Sequence, residues 1–252
     1  MRLEKVSTQN LRDRLAADGL VISTSAVMAG HSAGRESRAR AFGRGGTSGA
    51  VGSLETNAEV ITMNDKIQTQ DLFQTLAHEH ALILRVLDAF ERYISNVEAG
   101  AQIDSLELGR FVTFFREYVD LTHHEREECI LFPALVKHGF ADKYGPLAHV
   151  RDQHGKEREF LWLLMRAFAM GRLSSPEVGR ILTKVAMDYV TFQRAHIQKE
   201  IALLYPVARQ ELTPADLQHL SEDSACFDRG SHRASPAWLT ELGESLASPR
   251  TP

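Results

Sequence analysis

Between Thr69 and Arg209 apolar residues recur at alternating three- and four-residue spacings, the signature of one buried stripe per helix. Turn residues divide this region into four helical stretches. The first runs from about Thr69 to Glu98 and stops at Ala99-Gly100, and the second starts after Asp104, an N-cap residue type, and stops at Gly139. The third opens near Pro146 and closes at Gly171, and the fourth opens at Ser174-Ser175-Pro176 and closes near Arg209, ahead of Thr213-Pro214. Connections this short turn each helix back along the one before it. The predicted fold is therefore all-α, an antiparallel up-down-up-down four-helix bundle over residues 63–210.

The flanking sequence reads differently. Residues 1–62 contain a single aromatic, Phe42, and a Gly/Ser/Arg-rich run from Gly30 to Gly52, too little apolar surface to offset the entropy of ordering. A disordered extension is expected there, either an upstream appendage or the product of a mis-set start codon ahead of Met63. Residues 211–252 form a C-terminal tail that is weakly helical near Pro214–Leu220 and Trp238–Leu246, with a frayed end from Ser248 to Pro252.

Each stripe is interrupted by polar residues. The first helix turns Phe73, Leu76, His80, Ile83, Leu87, Phe90 and Ile94 inward, and the second turns Val112, Phe115, Val119, His123, Glu127, Ile130 and Ala134. On the third the stripe is Leu147, Val150, His154, Glu157, Leu161, Leu164 and Phe168. On the fourth it is Val178, Leu182, Val185, Tyr189, Phe192, His196, Glu200, Leu203 and Val207. Every helix thus places one histidine in the core. Buried imidazoles and carboxylates without partners cost several kcal/mol each, so a shared metal is the simplest explanation for all of them.

An internal repeat strengthens that reading. His123-His124-Glu125-Arg126-Glu127 leading to Leu131-Phe132-Pro133 matches His196-Ile197-Gln198-Lys199-Glu200 leading to Leu204-Tyr205-Pro206 in register. The i,i+4 spacing sets His and Glu about 40° apart around an α-helix, close enough to reach one ion or an adjacent pair. The register favours His123/Glu127 over the equally spaced His124/Glu128, which are assigned to supporting or surface positions. Pro133 and Pro206 are expected to kink or end their helices just beyond the site. Imidazole mixed with carboxylate, without a thiolate set, suits iron better than structural zinc. His78, His138, His149 and His219 read as surface, Cys129 as a small buried hydrophobe and Tyr189 as core; Glu157 reads equally as a ligand-shell residue or a surface glutamate.

These motifs, with Glu79-His80 and Gly145-Pro146 leading to His154, resemble the hemerythrin-like family, or HHE cation-binding domain, over about Leu72–Ala208. The resemblance implies two non-haem iron ions with an oxo, hydroxo or water bridge. Its ligands would be His80, His123, Glu127, His154, His196 and Glu200, with Glu127 and Glu200 as bridging carboxylates. The oxygen-carrying branch of that family has a His-x-x-x-His pair on its third helix, whereas Val150 stands four residues before His154 here. That departure turns the expectation from oxygen carriage toward binding of dioxygen or nitric oxide in sensing, scavenging, or iron and oxidative-stress handling. The alternatives are a ferritin-like di-iron oxidase or peroxidase, although that class carries Glu-x-x-His motifs, and a metal-free structural bundle.

Charge and composition remove other classes. With 29 Lys+Arg against 33 Asp+Glu, the net charge of -4 offers no basic footprint for nucleic acid or an anionic membrane. No apolar run approaches the roughly 20 residues that span a bilayer. Two distant cysteines, Cys129 and Cys226, do not make a disulfide framework. A cytoplasmic location is expected, with the reducing partner and oligomeric state left open.

Overall fold

The computed structural model describes residues 71–169, 175–230 and 236–248. The extension over residues 1–62, the turn at Gly171 and the last four residues of the tail lie outside them. All regular structure among the described residues is helical.

Helix α1 (Leu72–Glu98) begins where the Asp71 side chain accepts from the Phe73 N–H, and it ends before Gly100, whose φ of +107° suits a residue without Cβ. The next rod starts as α2 (Ser105–Phe114), capped by Asp104, which accepts from Leu106 N at 2.9 Å and Glu107 N at 3.2 Å. It continues through π-helical stretches at Phe115–His124 and Glu127–Leu131 and finishes as α3 (Phe132–Lys137). Helix α4 spans Gly145–Ala169. The fourth rod is α5 (Pro176–Lys199), a π-helical Glu200–Leu204 and α6 (Tyr205–Glu211). Helix α5 packs along both α1 and α4, and α4 also meets α2.

The prolines act differently from the simple expectation of a kink or stop. In each repeat copy the π-helical turn lies directly before the aromatic-proline pair, and the helix then resumes. A proline lacks the N–H that the preceding turn would use, and a widened turn absorbs that loss without breaking the rod. The turn also advances the buried register by one residue. Leu203 and Val207, predicted to face inward, are 61 % and 42 % exposed, whereas Leu204 and Ala208 are buried. On the second rod Leu131 and Leu135 are buried in the same way, and Ala134 is only partly so.

Two apolar layers result. One gathers Leu72, Leu76, Leu131, Leu135, Leu147, Val150, Leu204 and Ala208. The other is aromatic, with Phe90 4.9 Å from Phe111 and 5.1 Å from Phe115, and Phe115 4.9 Å from Tyr189, between ring centroids. Along every rod the inward histidines fall between the positions that build these layers.

The tail forms two full helices, α7 (Pro214–Gly230) and α8 (Pro236–Ala247). Thr213 and Asp216 cap α7 reciprocally: Asp216 accepts from Thr213 N at 3.0 Å and donates its own N–H to the threonine hydroxyl at 3.2 Å. Periodicity understates α7 because its buried face is Leu220 with the small polar residues Ser221 and Ser224 rather than an apolar stripe. Helix α8 seats Gly243 so closely that a Cβ there would lie 2.5 Å from Phe114 and 2.9 Å from Leu82.

The register shift gives a direct test. Leu204→Ala should cost about 2–5 kcal/mol in urea unfolding, as for other buried leucines, while Leu203→Ala stays within about 0.5 kcal/mol. Equal costs would mean that the stripe runs straight through Glu200.

Candidate metal centre

Between the apolar layers the rods bring together His80, His123, Glu127, His154, His196 and Glu200, all buried. Their donor atoms converge. His80 Nε2 lies 2.9 Å from His123 Nε2 and 3.0 Å from Glu200 Oε2. The other oxygen of Glu200 lies 2.9 Å from His196 Nε2 and 3.5 Å from His154 Nε2. One carboxylate therefore straddles two histidine groups. Glu127 presents Oε2 to His154 Nε2 at 3.3 Å and accepts at Oε1 from the Tyr205 hydroxyl at 2.8 Å.

His124 belongs to this cluster too, against its assignment to a supporting or surface position. It is fully buried, its ring stacks on His154 with centroids 4.0 Å apart, and His196 lies 5.4 Å away. Successive residues of an α-helix point about 100° apart, which is why only one of His123 and His124 was expected inward. The π-helical stretch ending at His124 changes that angle locally, so the two rings flank the centre. His123 faces His80, and His124 faces His154 and His196. Val150 is buried in the apolar layer, and His149 is exposed with its Nε2 3.3 Å from Lys199 Nζ, so α4 delivers His154 alone.

Glu157 resolves in favour of the interior. Its carboxylate oxygens lie 3.0 Å from His124 Nε2 and 3.8 Å from His196 Nε2, and the Gln193 amide, its nitrogen assigned to the side facing Glu157 so that a donor meets the carboxylate, donates to both at 2.6 and 2.9 Å. Tyr189 is fully buried against Phe115, as read, and its hydroxyl has no hydrogen-bond partner among the described residues. Cys129 departs from its reading as a buried hydrophobe: it is exposed, on the outer side of the turn that points Glu127 inward.

A metal fits this donor set. His124, His154 and His196 form one group whose ligand atoms lie within 4.8 Å of one another; His80, His123 and Glu200 form a second, and Glu127, His154 and Glu200 a third. His124 Nε2, His154 Nε2, His196 Nε2, Glu127 Oε2 and both oxygens of Glu200 are buried without a hydrogen-bond partner. They approach within 2.9–3.5 Å of their neighbours yet miss hydrogen-bonding alignment. Lone pairs converging on a common space leave such a set unsatisfied until a cation enters.

The opposite ring nitrogens of three of the histidines are held from outside, as in ordinary metal sites, whereas Nδ1 of His80 and of His124 is buried without a hydrogen-bond partner. His123 Nδ1 meets Glu79 at 2.8 Å, His154 Nδ1 meets Glu128 at 2.8 Å, and His196 Nδ1 meets Gln153 at 3.4 Å. Arg158 donates to both Glu128 and Asp120. Glu79 and Tyr205 entered the sequence reading only as parts of motifs, without a role, and Gln153 and Asp120 did not enter it. The available signal was a polar residue beside a stripe histidine, which also describes ordinary surface positions.

Burial and charge tune the cluster. Desolvation, reinforced by the imidazoles of His154 and His196, holds the His124 pKa well below its usual value, which leaves a neutral ring with a free lone pair. Burial opposes ionisation of Glu200, but His196, His154 and His80 hold its pKa well below the carboxylate range. Burial dominates at Glu157, whose pKa is pushed up to about 7.

The hemerythrin HHE cation-binding domain model matches residues 71–208, more than half of the chain. This chain belongs to the hemerythrin HHE family. No curated protein matches it. A cation-binding HHE domain is what the converging histidines and glutamates call for, and helices α7 and α8 lie beyond the matched residues.

Glu157 supplies a pH test on the metal-free HHE domain. Its folded-state pKa is raised, so its contribution to stability is complete below about pH 4.5 and is lost as pH rises through about 7. Wild-type stability should therefore fall relative to Glu157→Gln, by roughly 2–3 kcal/mol, between pH 5 and pH 8 in urea titrations with chelator present. Parallel pH profiles for the two proteins would contradict this assignment.

Proposed function

We propose that the chain is a non-haem di-iron protein that binds dioxygen or nitric oxide, built on an antiparallel four-helix bundle. The observation that carries this reading is Glu200, whose two carboxylate oxygens face different histidine groups. On one side are His80 and His123, and on the other His124, His154 and His196. Glu127 would be the second carboxylate to hold the metal, its orientation fixed by the Tyr205 hydroxyl. His124 takes the place of the third-helix histidine that Val150 does not provide. Iron held in this way supplies a redox-active Lewis acid for a diatomic ligand.

The chain's own residues shape that binding. Leu76, Leu131 and Leu204 on one side and Phe90, Phe115 and Tyr189 on the other exclude bulk water. Tyr205, whose hydroxyl proton is donated to Glu127, also brings that oxygen within 3.5 Å of His80 Nε2, so the two-histidine side has a fixed polar group beside it. Glu157 favours a second reading, oxidase or peroxidase activity, because its buried carboxyl lies 3.0 Å from His124 Nε2 and 3.8 Å from His196 Nε2, where a proton-transfer group would be needed. The physiological role on either reading lies in sensing, scavenging or iron handling.

The test is anaerobic reconstitution with ferrous iron, followed by iron analysis and absorption spectra as dioxygen or nitric oxide is added and removed. About two irons per chain and a reversible spectral change are expected. His124→Ala should keep the helical circular dichroism of the wild type and lose about one iron. A change that persists on deoxygenation, with turnover of added reductant, would favour the enzyme. No bound iron, or an iron content unaltered by His124→Ala, would overturn the proposed ligand set.

A further inference from the structure

We infer that helix α7, outside the family-matched residues, is part of the support of the metal centre and positions His123 through Arg126 and Glu79. This rests on the metal-binding reading above. The connection is continuous. His123 Nδ1 meets Glu79 Oε2 at 2.8 Å, and Glu79 Oε1 accepts from Arg126 Nε at 3.1 Å, with Arg126 Nη2 at 3.0 Å. The far side of the same guanidinium is held by α7. Nη1 donates to the Ser224 hydroxyl at 2.6 Å and to its carbonyl at 3.3 Å, and Nη2 donates to Asp228 at 2.6 Å. The Phe227 ring covers the guanidinium at 5.1 Å.

Arg126 is the largest fully buried side chain of the described residues, and Glu79 is buried with it. Every nitrogen of the guanidinium is thus matched to an acceptor, with two contacts to Glu79 and three to α7. A fork held at both ends has one orientation. Without the α7 acceptors Arg126 keeps its charge but loses what fixes its angle, and Glu79 then holds the His123 ring less firmly. His154 and His196 do not share this dependence: Glu128, Arg158, Asp120 and Gln153 all lie within residues 71–208. Ser221 adds a second tie, accepting from Leu72 N at 3.4 Å where α1 begins.

Helix α7 is therefore linked to one side of the centre, and linkage is reciprocal: metal that orders His123 also orders α7. The other tail helix provides a control. Helix α8 is anchored by Glu244, which pairs with Arg85 at 2.7 Å and touches neither Arg126 nor Glu79.

The experiment uses the full chain loaded with ferrous iron and follows its removal by a chelator, one kinetic phase per iron. The phase belonging to the His80/His123 side is the one missing from His123→Ala. Asp228→Asn combined with Ser224→Ala should speed that phase by about tenfold, the lower end of the effect of losing an outer partner of a ligand histidine, and leave the other phase unchanged. Asp228→Glu should stay near wild type, and Glu244→Ala should alter neither phase. Hydrogen exchange over residues 214–230 should slow on iron loading in the wild type and not in the double variant. Equal acceleration of both phases, equal acceleration by Glu244→Ala, or no effect of the double variant in a chain that binds two irons would overturn this inference alone. A wild-type chain that takes up no iron would overturn it together with the metal-binding reading.

Discussion

Convergence of buried donors is the constraint on which the rest of the structure depends. Five imidazoles and the carboxylates of Glu127, Glu157 and Glu200 lie between two apolar layers, out of reach of water. Unmet polar groups in that setting are expensive, and several of these atoms have no hydrogen-bond partner. For three of the five imidazoles the surrounding protein compensates on the outer side: Glu79, Glu128 and Gln153 meet the Nδ1 atoms of His123, His154 and His196 and leave their Nε2 atoms facing inward. Affinity for a cation is the thermodynamic counterpart of that arrangement, because binding relieves a penalty already present in the folded chain.

The backbone is adapted to the same constraint. Two copies of one motif place a π-helical turn between the His/Glu pair and the aromatic-proline step. The widened turn accommodates the missing proline N–H, and it moves Leu131 and Leu204 into the core while Cys129 and Leu203 face solvent. A further π-helical stretch brings His124 round beside His123. Irregular helix at the repeat is therefore what allows one rod to contribute adjacent histidines to both sides of the cluster.

Much of this was legible in the sequence, and the reasons for the rest are specific. The 3,4 spacing marks His80, His154, His196 and the two Glu residues of the repeat, because apolar neighbours above and below each of them set the inward direction, and the structure gathers all of these residues. The Asp104 cap and the stops at Gly100 and Gly139 follow from chemistry that is local in sequence. His124, Leu204 and Ala208 escape because the periodicity argument assumes 3.6 residues per turn, an assumption that fails just where the site lies. Glu79 and Arg126 escape because their partners are 44 to 102 residues away. Helix α7 is understated because it is held by serines and one buried guanidinium more than by apolar area.

The proposed function depends on Glu200 being shared by two metal ions. Anomalous diffraction at the iron edge from iron-loaded crystals tests it most directly. Two iron peaks about 3.5–4 Å apart are expected, one against His80 and His123 and the other against His124, His154 and His196, with Glu200 between them. A single peak, or two peaks with the His124 ring turned out of the cluster, would contradict it.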